Sequence, residues 1–284
     1  AGGMLVAAGT GDIMGASLGL GLEPGDVVVS LGTSGTAFGV HTTPTTDTTG
    51  VVAGFADATG HFLPLVCTLN AARGLTAAAA MLGTDLDGLN RVALDAEPGV
   101  GGLVLLPYLD GERTPDLPYA TGTLGGLTRA NATPENLARA AVEGMLCGLA
   151  DGIDALRSQG LQARRVLLIG GAAKSRAVQE IAPSIFSAPV TVPVPLEYVA
   201  IGAARQAAWA LRSRVGKPDL PNWTPDPSTL HPVRDLAPGA SVRATYAQLR
   251  ETVHPHCCRR QSTSDQLVRY CFGMRVAPHR FCEG

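Results

Sequence analysis

Charged and aromatic side chains are scarce in this sequence of 284 residues, of which 16% are charged and 5% are aromatic. The formal net charge is −2, so the chain lacks the basic field that binds nucleic acid or an anionic membrane surface. It also lacks any apolar run of roughly eighteen residues, the length that predicts a membrane-spanning helix. We therefore expect a compact α/β protein that binds a small neutral or anionic molecule, with neither nucleic acid nor a membrane as a partner.

The sequence also lacks the marks of a natural start, since residues 1–4 contain no basic residue and position 1 is not methionine. We predict no secretory signal and expect the chain to begin inside a longer protein. Cys67 and Cys147 stand alone in apolar surroundings, as buried thiols do in a reducing compartment. A cytoplasmic location is therefore expected.

The spacing typical of zinc ligands is missing as well. The other four of the six cysteines lie in residues 254–284 with three histidines, but they form neither two CxxC pairs nor an HxxxH pair. We therefore predict no metal site and expect 254–284 to be either a disordered tail or a segment that is not native coding sequence of the domain. Residues 1–253 are predicted to form one domain, in which 215–240 is a proline-rich extended segment.

Two glycine-rich turns near the start are the most informative stretches that are present. Gly9-Thr10-Gly11-Asp12 places one carboxylate at the start of a predicted helix, where capping and the helix dipole favour it. Some twenty residues later, the β-branched strand 27–30 ends in a loop of small residues whose amides can face an anion: Gly32, Thr33, Ser34 and Gly35. This loop lacks the Gly-Lys-Ser ending of a Walker motif. An ordinary turn and an ordinary hairpin remain the alternatives.

Strands and helices alternate along the rest of the chain. Strands are predicted at 37–41 and 62–68, which with 27–30 suggest an antiparallel meander. Helices are predicted at 71–82, 85–97, 134–158, 198–213 and 240–253. An apolar strand at 165–169 ends in Gly170, Gly171 and Ala172 and opens another helix, a turn whose amides can approach a nucleotide. The order predicts an α/β fold with a mixed sheet flanked by helices.

Residues 107–115 concentrate two carboxylates, an arginine and a tyrosine between proline and glycine residues. They follow a short apolar strand predicted at 103–106. Such a loop is either a solvated surface turn or a functional loop, since loops hold most functional side chains. The sequence leaves these two possibilities open.

Several stretches in this order resemble the FGGY family of carbohydrate kinases, and within it the xylulokinase branch. The main ones are VAAGTGD at 6–12, SLGTSG at 30–35, LPYLDGERTP at 106–115 and VLLIGG at 166–171. Residues 122–127 and 136–143 are similar to the family's second signature. Two stretches depart from the pattern: Ile13 stands where relatives often have Asn, and Ala172 and Ala173 stand where a third glycine is common.

The resemblance implies an actin-like, ribonuclease H-like kinase of two domains, with the active site in the cleft between them. It implies that this chain is the C-terminal domain and that the N-terminal kinase domain is absent. A homodimer is compatible with the resemblance. Asp12 matches the general base, residues 32–35 match the loop that binds the transferred phosphates, and 170–172 match the loop on the adenosine side. The reaction implied is ATP-dependent phosphorylation of D-xylulose with Mg²⁺. The alternatives are a kinase for ribulose or gluconate, and a nucleotide-binding half without turnover.

Overall fold

The computed structural model describes residues 4–216, 219–221, 223 and 228–255. Within these residues the chain forms helices and strands in alternation. The helices are α1 (Asp12–Leu20), α2 (Ala72–Met81), α3 (Leu86–Ala93), α4 (Pro134–Ser158), α5 (Arg176–Phe186), α6 (Tyr198–Arg214) and α7 (Ala237–Val253). The strands are β1 (Asp26–Leu31), β2 (Gly35–Gly39), β3 (Leu65–Thr68), β4 (Val104–Leu106), β5 (Thr123–Gly125), β6 (Arg165–Ile169), β7 (Val190–Pro193) and β8 (Ser228–His231).

Six of these strands form one mixed sheet in the order β3-β2-β1-β6-β7-β8. The three central strands β1, β6 and β7 are parallel, whereas β2, β3 and β8 join as antiparallel neighbours. The central β1 is buried on both faces, as expected for a run of β-branched residues in the middle of a covered sheet. The predicted antiparallel meander and the predicted mixed sheet are both confirmed.

Successive side chains of β1 point to opposite faces of the sheet and enter two separate apolar clusters. Val27 and Val29 pack into the larger cluster, which includes the long helix α4 and parts of α2, α3 and α5. Val28 packs into a smaller cluster with Leu20 of α1 and with Tyr198 of α6. The sheet is therefore covered by helices on both faces, as the sequence predicts.

Helix α4 forms over the predicted residues because its start carries strong signals. Thr133 accepts a hydrogen bond from the Asn136 amide at 3.3 Å, and Pro134 occupies the first turn. The helix is 25 residues long and buried along most of its length. Close packing is possible because Gly144 lies against β4: a Cβ there would be 2.1 Å from the Leu105 carbonyl oxygen. None of the helices in the described ranges is both long and apolar enough to cross a membrane.

Two predictions from the sequence need correction, the strand predicted at 103–106 is confirmed with a partner that the sequence did not indicate, and one predicted segment lies outside the described residues. The segment 215–240 is not simply extended, because Ser228–His231 pairs with β7 and α7 already begins at Ala237. The helix predicted at 85–97 ends at Ala93, and the residues between it and Pro98 form a tight turn instead. The apolar strand at 103–106 pairs with β5 in a separate two-stranded sheet. The predicted tail lies outside the described residues from position 256 onwards.

Candidate active site

The two predicted nucleotide loops meet at one edge of the large sheet. Strands β1 and β6 are parallel neighbours, and Ser30 lies opposite Ile169, so the loops that follow them leave the sheet side by side. Gly170 makes the contact: its φ is +93°, and a Cβ there would be 2.7 Å from the Leu31 carbonyl oxygen. Only glycine combines this backbone conformation with so close an approach. The carboxyl edge of parallel strands is also where α/β proteins commonly bind ligands.

Backbone hydrogen bonds orient the loop at residues 32–35. The carbonyl oxygens of Gly32 and Thr33 accept from the amides of Ala72 and Ala71, at 3.0 and 3.2 Å. Because a trans peptide points its carbonyl and the following N–H in opposite directions, the amides of Thr33 and Ser34 are directed away from α2. Both residues are exposed, and their hydroxyls make no hydrogen bond to a described residue. The loop therefore offers unpaired donors of the kind that bind anions.

Asp12 lies where the sequence predicts, in the first turn of α1, after the N-cap residue Gly11. Its carboxylate is exposed, and Oδ1 accepts from the Ile13 amide at 2.9 Å. Helix α1 packs on the sheet and its last turn leads through a short turn into the start of β1, so its first turn lies toward the edge at which β1 and β6 end. Asp12 is thus directed toward the same edge as the two loops, but no described hydrogen bond or ion pair joins it to either.

Three glycines hold α1 in place against α6. A Cβ at Gly19 would be 2.0 Å from the Tyr198 carbonyl oxygen, and a Cβ at Gly202 would be 1.9 Å from the Gly15 carbonyl oxygen. The two helix backbones are therefore in direct contact. The position of Asp12 depends on this contact because the carboxylate stands on the first turn of α1.

The loop at 107–115 is not a solvated turn. Tyr108, Glu112 and Thr114 are buried, with exposed fractions of 1%, 3% and 8%. Thr114 Oγ1 donates to the Cys67 carbonyl at 2.8 Å, so the loop lies along the end of β3, next to the loop at residues 32–35. Asp110 is exposed and pairs with Arg73 at 2.7 Å. The sequence could not show that this loop is buried, because the residues that it contacts are more than thirty positions away along the chain.

Helix α7 fixes the start of the same loop. The Tyr246 hydroxyl donates to the Tyr108 hydroxyl at 3.1 Å, in a buried contact. Burial raises the pKa of both phenols, so both stay neutral in neutral solution. The last described helix thereby anchors the loop at 107–115, through a contact that no motif in the sequence indicates.

Known proteins are similar to this chain in sequence and in fold. Residues 27–211 match the C-terminal domain of the FGGY family of carbohydrate kinases. Xylulose kinases from Streptomyces coelicolor and Streptomyces rubiginosus are 47% and 46% identical over 210 residues, which are 74% of this chain and 42% of each relative. The crystal structure of xylulose kinase from Bifidobacterium adolescentis is 50% identical with a TM-score of 0.79, covering 88% of this chain and 48% of that one.

The chain therefore spans less than half the length of these relatives. Its sheet and flanking helices match the fold of sugar kinases of the actin-like ATPase type, which confirms the predicted fold class. The family match covers the sheet core, from β1 into α6. The chain belongs to the FGGY family of carbohydrate kinases, whose C-terminal domain is matched by residues 27–211.

Proposed function

We propose that this chain is the nucleotide-binding half of an ATP-dependent sugar kinase that converts D-xylulose to D-xylulose 5-phosphate. The observation that carries the proposal is the meeting of loops 32–35 and 170–172 at one sheet edge, with Asp12 directed toward that edge. The similarity to xylulose kinases supports the choice of sugar. A homodimer and a cytoplasmic location remain predictions.

The two loops are suited to hold ATP as a substrate. Phosphoryl transfer depends mainly on positioning and on neutralising the charge of the phosphates. The outward amides and hydroxyls of Thr33 and Ser34 would bind the β-phosphate and the transferred γ-phosphoryl group. The exposed Gly170 and Gly171, with Ala172 beside them, would lie under the adenosine, where the lack of side chains at the glycines leaves room for it.

Asp12 would act as the general base. Its carboxylate would accept the proton of the sugar hydroxyl at C5 while that oxygen attacks the γ-phosphorus and the bond to ADP breaks. Such a base contributes about 10²–10⁴-fold to the rate when it is within hydrogen-bonding reach. The exposed carboxylate at the start of α1 is free to take up this position.

Magnesium would enter with ATP. In the described part of the chain, no three His, Cys, Asp or Glu residues are arranged to hold a metal ion. This suits Mg²⁺, which keeps several waters and is commonly held by substrate phosphates and one or two carboxylates. When bound, the ion neutralises phosphate charge, whereas the residues of this chain orient the phosphates and accept the proton.

Two other functions stay open. A kinase for ribulose or gluconate would bind ATP with the same loops. The family resemblance implies that most of the sugar-binding residues lie in the other half of the enzyme, so this chain does not decide between the sugars. A nucleotide-binding half without turnover is supported by the coverage of only 42% of the relatives' length. Attack requires the reacting atoms to be about 3–3.5 Å apart, which a cleft enzyme achieves only with both lobes.

One experiment separates these possibilities. ADP release is measured with D-xylulose, D-ribulose and D-gluconate, both for this chain and for a two-lobed kinase that joins it to the N-terminal half of the Streptomyces coelicolor xylulose kinase. We expect MgADP binding by both, and turnover of D-xylulose only by the two-lobed form. Faster turnover of another sugar would change the substrate, and a chain that binds no MgADP would contradict the proposal.

The hydroxyl of Ser34 gives a further prediction. Ser34→Ala should weaken MgADP binding by about tenfold, the effect of losing one hydrogen bond to a charged group. Ser158→Ala is the control, because this exposed serine ends α4 at the opposite edge of the sheet and should leave affinity unchanged. Isothermal titration measures both, and equal affinities for the two variants would remove Ser34 from the site.

A further inference from the structure

Glu112 is a buried carboxylate without a counter-charge. It is 3% exposed and forms no ion pair with any residue that the structure describes. Instead it accepts hydrogen bonds from the Leu69 amide at 2.6 Å, the Arg113 amide at 2.8 Å and Asn70 Nδ2 at 3.0 Å. Burial of a charge is costly unless donors compensate it, so these three donors are held firmly around the carboxylate.

The residues that follow Leu69 and Asn70 hold the proposed phosphate loop, residues 32–35. Ala71 and Ala72 donate to the carbonyl oxygens of Thr33 and Gly32. Segment 69–72 is thus bound to Glu112 at its first two residues and to the phosphate loop at its last two. These last two bonds are the ones that turn the amides of Thr33 and Ser34 outward.

We propose that Glu112 is a positioning residue for nucleotide binding, which acts through segment 69–72 to keep the phosphate loop in its anion-binding orientation. This inference rests on the proposed function. It assigns Glu112 no contact with the substrate. Its role is to fix the direction of amides that lie two steps away in the hydrogen-bond network.

Glu112→Gln is the direct test, because it keeps the size of the side chain and removes its charge. If the carbonyl oxygen of the introduced glutamine side chain accepts from the Leu69 amide, the Nε2 group of that side chain faces Asn70 Nδ2. Both of these groups are donors, so the hydrogen bond to Asn70 is lost. Segment 69–72 should then loosen. We expect MgADP affinity of this chain to fall about tenfold, as for loss of a charge-assisted hydrogen bond. Hydrogen exchange of the Ala71 and Ala72 amides should also become faster.

Two further variants keep the test decisive. Asn70→Ala leaves the carboxylate in place and removes one of its donors. MgADP affinity should fall about threefold, and exchange of the Ala71 and Ala72 amides should become faster. This variant serves as the test if Glu112→Gln fails to fold. Asp47→Asn is the matched control. Asp47 also accepts backbone N–H bonds, from Thr49 at 2.9 Å and Val52 at 2.8 Å, but it has no such connection to the phosphate loop. It should leave both measurements unchanged.

The outcomes distinguish this inference from the proposed function. Unchanged exchange at Ala71 and Ala72 in both test variants, or faster exchange with unchanged affinity, would overturn the role of Glu112. Equal changes in Asp47→Asn would also overturn it, because they would reflect a general loss of stability. A wild-type chain that binds no MgADP would overturn the proposed function, whereas the exchange measurement would still report on the network.

Discussion

Asp12→Asn in the two-lobed kinase should lower kcat with D-xylulose by about 10²–10⁴-fold, the usual contribution of a general base. Asparagine keeps the size of the side chain but cannot accept the hydroxyl proton. Because Asp12 lies on α1 and makes no described contact with the loops, MgADP affinity should stay within about twofold of wild type, a difference of less than 0.5 kcal/mol. Steady-state kinetics and titration calorimetry measure the two quantities separately.

Asp87→Asn is the matched control for this substitution. Asp87 is also an exposed acid in the first turn of a helix, α3, so its replacement loses a comparable interaction with the helix dipole. It should leave kcat near the wild-type value. If Asp12→Asn retains normal turnover, or if both variants lose it equally, Asp12 is only a turn residue.

Gly202→Ala should lower the free energy of unfolding by about 2 kcal/mol, although alanine is the better helix former. In an open helix the change from glycine to alanine stabilises by about 1 kcal/mol. Here the new Cβ would lie 1.9 Å from the Gly15 carbonyl oxygen, so α1 and α6 must separate, and overpacking of this kind costs about 1–3 kcal/mol or more. The separation moves α1, so kcat of the two-lobed form should fall as well.

Gly148→Ala is the control, and its effect on the free energy of unfolding should have the opposite sign. Gly148 is also inside a helix, α4, but a Cβ there would lie 3.5 Å from the Tyr246 hydroxyl, an ordinary contact. This variant should therefore gain up to about 1 kcal/mol from helix propensity. Urea unfolding measures both variants. A stabilised Gly202→Ala would show that the backbones of α1 and α6 are not in contact.

Local signals in the sequence predict much of the fold. Thr133 and Pro134 mark the start of α4, and the apolar runs in β1 and β6 predict central strands. The glycines at 32 and 170 mark the loops, and the parallel pairing of the two strands explains why these loops meet. The α/β class and the loop positions were therefore accessible from neighbouring residues, whereas the actin-like fold was implied by the family resemblance.

The features that the sequence did not predict depend on contacts between distant parts of the chain. Glu112 is buried because donors at positions 69 and 70 surround it, and a sequence shows only an acid in a loop. Strand β8 lies at the sheet edge in a proline-rich segment, where periodicity is weak. The contact between Gly15 and Gly202 joins two helices that are far apart in sequence, so glycine content alone gives no partner.

The most direct test of the central claim is a crystal structure of this chain with MgADP. We expect the β-phosphate within hydrogen-bonding distance of the Thr33 and Ser34 amides, and the adenosine beside Gly170 and Gly171. The Gly32 and Thr33 carbonyls should still accept from α2. Nucleotide density at any other surface, with loop 32–35 empty, would contradict the assignment of this sheet edge as the ATP site.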